Sequence, residues 1–360
     1  MMQPSDQEKL YTRVDHIKLA QFVQSAFERL GVPQNDARIA ADGLVSADLR
    51  GVDTHGVIRF SPNAWYIKWL RDKEMNPRPN IRTVSESPSS ALIDGDRGIG
   101  MVIGNRAMDL AIQKAKDCGV AMVGVRNSRH FGMSAYYAMK ALSHDMIGIA
   151  MTNASRLVVP TFGREARFGT NPICVAVPAL KEQPFVLDMA TTTAAAGKLE
   201  LAARRDHSIP IGWALDEKAE PTEDPKIAQK ARRLLPLGGS REGGSHKGYG
   251  LAMVVEILCG VLTGTITALN ANQDPRGHFF GAIRIDSFRP AAEFKNDMDR
   301  LIRELKSTPP ITGQNRVYVA GEIEFETAKE RAAKGIPLLD SVLKGLREVG
   351  EELGVRYDLE

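Results

Sequence analysis

The run Asp53-Thr54-His55-Gly56-Val57-Ile58-Arg59 sets an imidazole four residues before a guanidinium. An unperturbed histidine, with a pKa of about 6.5, gives or takes a proton near neutrality. On a helix, Arg59 would share a face with His55. An arginine fork holds a carboxylate at two points. Proton transfer beside a carboxylate anchor is what reduction of a 2-keto acid requires. The same run would also serve as a capping loop, with Asp53 and Thr54 at a helix start and His55 exposed.

Further segments offer rival or supporting chemistry. Ser128-Arg129-His130-Phe131-Gly132 follows an apolar run that reads as a strand, where α/β ligand sites gather. His130 is either a second proton-transfer group or a hydrogen-bonded loop histidine. Gly169-Thr170-Asn171-Pro172 and Asp188-Met189-Ala190-Thr191 flank two further strand-like runs. Gly and Asn permit turns that expose backbone N–H groups to a phosphate or carboxamide, although such turns are more often structural. Ser245-His246-Lys247-Gly248 opens an apolar helix, whose N-terminal dipole and Lys247 favour an anion.

Other chemistries are excluded by spacing. Gly95, Gly98, Gly100 and Gly104 only approximate a dinucleotide fingerprint, and the next strand ends in Arg126-Asn127 instead of an acid. A tight strand-to-helix turn is the plainer reading. There is no G-x-S-x-G elbow, no H-E-x-x-H and no paired C-x-x-C, so neither a serine hydrolase nor a dedicated zinc site is expected.

These segments need elements to position them. The chain has 360 residues, 47 Lys+Arg against 44 Asp+Glu, and three cysteines, which suits about two soluble domains. A net charge of +3 is too small for a nucleic-acid footprint. Cys118, Cys174 and Cys259 are far apart and fit buried side chains in a reducing compartment. Residues 1–13 lack the apolar core of a signal peptide, and the most apolar stretch, 248–264, is short for a membrane span and carries Glu256. A cytoplasmic protein is expected.

Leu19, Phe22, Val23, Ala26, Phe27 and Leu30 make one helical stripe, stopped by Gly31 and Pro33. A second helix is expected over 35–49, and a Pro-rich connection follows at Pro77, Pro79 and Pro88. Strands are then expected at 91–93, 120–125, 147–151, 173–177, 185–187 and 278–285, with helices over 101–116, 134–143 and 249–262. Phe294, Met298, Leu301, Ile302 and Leu305 form another stripe, and 338–353 reads as a last amphipathic helix. The alternation predicts a layered α/β core. The helical ends predict a discontinuous helical domain, residues 1–78 with 286–360, around an α/β cofactor-binding domain at 79–285.

Taken together, the segments resemble the malate/L-lactate dehydrogenase family, which is unrelated to the Rossmann-type lactate and malate dehydrogenases. The matching stretches are DLRGVDTHGVIR (48–59), SRHFGMSAYYA (128–138), GTNP (169–172), DMATT (188–192), LPLGG (235–239), KGYGLAMVVEILCGVLTG (247–264), GHFF (277–280) and GIPL (335–338). They run in order over nearly the whole chain.

The resemblance implies a three-layer α/β fold with a mixed sheet that binds NAD or NADP in a non-Rossmann manner, and a homodimer. It implies an oxidoreductase acting on a small 2-hydroxy or 2-keto acid, with a sulfonated or ureido acid or a cyclic imine carboxylate as alternatives. A non-catalytic nucleotide-binding protein is the alternative from another class. The family's proton donor falls on His55, supported by Thr54, its carboxylate clamp on Arg59, and a rival base used by some members on His130. Cofactor contacts are implied at Ser155, Thr170, Asp188, Met189, Ala190, Lys247, Gly321 and Glu322; no metal is implied. This chain departs from the family pattern in three places: Thr54 replaces a commoner serine, residues 240–246 precede Lys247 as an insertion, and Ala320 stands where a proline often precedes Gly-Glu.

Overall fold

A computed structural model describes residues 11–204, 206–266 and 276–360. Most of the segment read for an export signal therefore lies outside the described residues.

The elements follow in order. Strand β1 (Tyr11–Val14) leads into helices α1 (His16–Arg29), α2 (Gln34–Leu49) and α3 (Trp65–Arg71). The α/β part comprises β2 (Arg82–Glu86), β3 (Ser90–Asp94), α4 (Gly100–Cys118), β4 (Val120–Ser128), α5 (Ala135–Ala138), β5 (Met146–Thr152), β6 (Ile173–Val177) and β7 (Phe185–Met189). Then come α6 (Ala196–Arg204), α7 (Pro225–Ala231), α8 (Ser245–Glu256), β8 (Arg276–Arg284), α9 (Ala291–Lys306), α10 (Glu322–Lys334), β9 (Ile336–Leu339) and α11 (Asp340–Leu353).

Seven strands form one mixed sheet in the order β2-β3-β4-β8-β5-β6-β7, with only β3 and β4 parallel. The late strand β8 sits in the middle and pairs antiparallel with both β4 and β5. Its residues alternate between two covering layers. Phe280 and Ala282 pack into the cluster built on α4, while Phe279 packs with Val255 and Cys259 on the α8 side. This is the expected three-layer arrangement, and it is not a doubly wound sheet.

The chain ends meet. β1 pairs with β9, and a single apolar cluster joins α1, α2, α3 and α11 with Ile99, Met101 and Val102 at the start of α4. The α1 stripe is buried as its spacing requires, and Asp15 caps the helix by accepting from Ile17 N and Lys18 N at 2.9 Å. α9 lies elsewhere: the Asp299 carboxylate accepts from the amides of Leu180, Lys181 and Glu182 and so ties α9 to the β6–β7 turn.

Several local expectations change. The helix expected over 134–143 is one α turn followed by 3₁₀ structure at Met139–His144. The helix through 262 becomes a π turn at Ile257–Val261. β9 occupies 336–339, where Pro337 and pairing to β1 override the apolar helix pattern. Cys118 is exposed at the end of α4, not buried, and all three cysteines are free thiols.

Candidate active site

The first catalytic run is folded by a buried carboxyl. Asp48, on the last turn of α2, accepts from Val57 N at 2.8 Å, and burial pushes its carboxyl well up. Arg331 reaches across from α10 to bond Asp48 O and the Asp53 carboxylate. Held at both ends, residues 53–59 form two 3₁₀ turns, Asp53–His55 and Val57–Arg59, in place of one α-helical face. Thr54 Oγ1 then lies 3.0 Å from His55 Nδ1. Arg59 folds back, Nε donating to Thr54 O at 2.8 Å, with its guanidinium 4.5 Å over the Trp65 ring. Among the described residues no hydrogen bond engages the η nitrogens of Arg59, so the two-point edge of the fork is available to a carboxylate.

The second run closes the same site. His130 follows β4, and its ring stacks on His55 with centroids 5.7 Å apart. Trp65 packs edge-on to His130 at 4.8 Å, and Tyr66 Oη lies 2.6 Å from His130 Nδ1. Behind them His278 braces two strand ends at once. Its Nδ1 is 2.7 Å from Thr152 Oγ1 on β5, and its Nε2 is 2.8 Å from Ser128 Oγ on β4. The ring also stacks on Phe131 at 4.6 Å.

The electrostatics favour neutral imidazoles. Burial, and then the Arg59 charge, push His55 down to about 4. Burial also pushes His130 well below its usual range, with His55, Arg276 and Arg59 adding to the effect. His278 is pushed down to about 3 by burial and Arg276.

His55, Arg59 and His130 line one cleft of about 520 Å³, together with Thr54, Trp65, Thr152, Ser155, Thr170, Glu200 and Arg276. Arg276 Nη2 donates to Ser155 Oγ at 2.6 Å. Of the cofactor contacts implied by resemblance, Ser155 and Thr170 lie on this wall and the others do not. Asp188 sits at the end of β7, reached by solvent yet crowded by protein, and accepts from Ala135 N at 2.7 Å; the crowding raises its carboxyl to about 6. Met189 pairs with Ile173 in the sheet, and Ala190 follows it. Lys247 is exposed on the first turn of α8. Gly321 packs against Val186, and Glu322 pairs with Lys306 at 2.9 Å.

The glycine turn before α4 resolves the dinucleotide question. A Cβ on Gly100 would meet the carbonyl oxygens of Arg129 and His130 at 2.2 and 2.5 Å. The chain's own backbone fills the place where a pyrophosphate meets a Rossmann helix. Trp65, Tyr66, Glu200 and Arg276 were not legible as site residues. The first two belong to an apolar helix that reads as core, and the last two come from distant segments that only the fold brings in.

The family model described as malate/L-lactate dehydrogenase matches residues 14–347. The chain belongs to the malate/L-lactate dehydrogenase family. It is 44% identical over 351 residues to a malate dehydrogenase of Pyrococcus horikoshii, covering 96% of each chain. It is 41% identical over 337 residues to an L-sulfolactate dehydrogenase of Methanocaldococcus jannaschii, covering 92% of this chain and 94% of that one. A crystal structure of malate dehydrogenase from Entamoeba histolytica superposes with a TM-score of 0.92 at 34% identity, covering 97% of this chain and 100% of that one.

As a family member the protein is a hydroxy-acid dehydrogenase, and the family implies a nicotinamide cofactor. The cleft suits one. It is large, its wall carries the Thr152, Ser155 and Thr170 hydroxyls and the Arg276 guanidinium, and Ala195, Ala196 and Leu199 line it with apolar surface. Among the described residues no cluster of His, Cys, Asp or Glu could hold a metal, and no helix is long and apolar enough to cross a membrane.

Proposed function

We propose that this dehydrogenase interconverts a 2-hydroxy acid bearing a second acidic group with its 2-keto acid, using NAD or NADP. Malate is the first choice, and a sulfonated hydroxy acid is the second. One observation carries this reading: guanidinium groups from distant parts of the chain, Arg59 and Arg276, line the same cleft as His55 and His130. The malate and sulfolactate dehydrogenase activities of its relatives support it.

In the reductive direction Arg59 holds the 2-carboxylate through its free η edge. Arg276 takes the second acid group. A bound reduced nicotinamide supplies hydride to C2. His55 gives a proton to the oxygen at C2, and the Thr54 hydroxyl at its Nδ1 orients the ring. His130 faces the same substrate from beside His55. In oxidation His55 accepts that proton. Preorganised charge around the developing alkoxide is the main lever.

For the cofactor, Ser155 and Thr170 are the contacts that the cleft supports. Asp188, Met189, Ala190, Lys247, Gly321 and Glu322 stay assigned on the resemblance alone. The proposal includes a homodimer, supported by the apolar face that Leu251, Val254, Ile257, Val261 and Leu262 leave exposed. It includes a helical unit of residues 1–78 with 286–360 against 79–285, supported by the pairing of β1 with β9, although α9 within that span packs on the β6–β7 turn. It also includes a cytoplasmic location, supported by three free thiols.

The deciding experiment sets malate, sulfolactate, lactate and a cyclic imine carboxylate against both cofactors in wild type and Arg276→Gln. Malate or sulfolactate should lead, and the variant should lose about 10–100-fold in kcat/KM on it while lactate is little changed. Equal losses on both would remove Arg276 from substrate binding. Preference for the imine would make the enzyme an imine reductase. Cofactor binding without turnover on any substrate would leave a nucleotide-binding protein.

A further inference from the structure

Two donors converge on one nitrogen of His130. Tyr66 Oη lies 2.6 Å from Nδ1, and the Gly132 N–H points at the same atom from 3.4 Å. A backbone N–H can only donate, and from 3.4 Å it favours an accepting Nδ1 without fixing it, so the lock falls to Tyr66. Tyr66 is wholly buried, and burial pushes its phenol up, so it keeps its proton. Among the described residues that proton has no other acceptor. The reverse arrangement would aim an Nδ1 proton at an amide proton and orphan a buried hydroxyl, which is costly. His130 therefore carries its proton on Nε2, and the nitrogen it offers the cleft is a donor. Trp65 edge-on and His55 face-on hold the ring plane.

His55 is held differently. Among the described residues its Nδ1 meets only the Thr54 hydroxyl, at 3.0 Å. A hydroxyl either donates or accepts by rotation. Thr54 can therefore accept from an Nδ1–H of His55, which leaves Nε2 as the atom that gives and regains the proton.

We propose that Tyr66 is a positioning residue that locks His130 as an Nε2–H donor, so that His130 hydrogen-bonds the reacting oxygen while proton transfer falls to His55 alone. A neutral imidazole can polarise a carbonyl in this way. The division of roles rests on the dehydrogenase reading given above; the tautomer lock rests on the hydrogen bonds.

The test separates the two. ¹⁵N-histidine spectra of the whole enzyme, assigned with His130→Gln and His55→Gln, report which nitrogen of each ring is protonated. Wild type should show His130 bare at Nδ1 and protonated at Nε2, and Tyr66→Phe should mix its tautomers. NADH binding, followed by fluorescence, should be unchanged in Tyr66→Phe. In turnover, His130→Gln keeps a donor and should stay within about tenfold of wild type, whereas His55→Gln should lose about 10²–10⁴-fold. A protonated Nδ1 in wild type, or a His130 tautomer indifferent to Tyr66→Phe, would overturn the lock. A His130→Gln enzyme as slow as His55→Gln would overturn the division of roles. Should no hydroxy acid turn over even in wild type, the dehydrogenase reading and this division of roles both fall, while the spectra still decide the lock.

Discussion

The rings of His55 and His130 lie stacked, centroids 5.7 Å apart and planes 22° from parallel. They reach this position from different parts of the chain. One stands on a 3₁₀ turn after α2 and the other beyond the end of β4. A substrate oxygen beside both rings would meet a proton donor and a hydrogen-bond donor together.

His55→Ala removes the proposed proton donor and leaves Ser155 and Thr170 in the cleft wall. Turnover should fall about 10²–10⁴-fold. Affinity for the reduced nicotinamide, NADH or NADPH, measured by fluorescence titration, should persist, because the proposed contacts Ser155 and Thr170 are untouched. Normal turnover of keto acid by this variant would make the assignment wrong.

The order of the sequence made half of this site legible. Thr54, His55 and Arg59 stand together in one run, and His130 follows a strand that its apolar residues announce. Their spacing suggested a shared helical face, whereas Asp48 and Arg331, 5 residues before the run and 272 after it, impose two 3₁₀ turns. No local pattern reveals such a long-range restraint. Tyr66 was hidden for a similar reason: in Trp65–Arg71 an aromatic at helical spacing reads as packing, and only the return of β4 gives its hydroxyl an imidazole. The strand β8 was legible, but its place between β4 and β5 depends on pairings across more than a hundred residues.

Gly100→Ala tests the contact between α4 and the His130 loop. The new Cβ would sit 2.2 Å from Arg129 O and 2.5 Å from His130 O. Both obstacles are backbone, so the loop or the helix must move. The expected cost is about 1–3 kcal/mol, read as a lower urea midpoint, with a fall in kcat because His130 shifts.

Gly197→Ala probes the wall against Thr54. Its Cβ would lie 2.7 Å from Thr54 Cγ2, so the side chain at His55 Nδ1 must turn or retreat. We expect kcat to fall with little change in melting temperature. Serine lacks that methyl, so Gly197→Ala combined with Thr54→Ser should recover most of the loss. Additive losses in the double-mutant cycle would show that the two residues do not act through this contact.

Stability should track the depressed histidines. A folded state that holds His55 near about 4 and His278 near about 3 binds fewer protons than the unfolded chain, whose histidines titrate at 6.5. The stabilising difference is complete above the unfolded value and is lost as pH falls from there toward the folded values. Urea midpoints should therefore drop between neutral and mildly acidic pH, and the drop should shrink in His278→Asn relative to its own neutral value. An equal drop in both proteins would remove His278 from the effect.

Activity gives the sharper pH signature because its two directions need opposite forms of one ring. With His55 near about 4 in the free enzyme, the neutral imidazole that oxidation requires is present across the neutral range. The kcat/KM for the hydroxy acid should be level there. Reduction requires the imidazolium, so kcat/KM for the keto acid should fall about tenfold per unit as pH rises through the same range. Binding adds a second feature. A substrate carboxylate on Arg59 offsets the charge that holds His55 down, so the break in kcat should stand at higher pH than the break in kcat/KM. Arg59→Gln should move the free-enzyme break upward by removing the same charge. A kcat/KM for keto acid that stays level through neutrality, in wild type and in Arg59→Gln alike, would mean that the proton comes from another group.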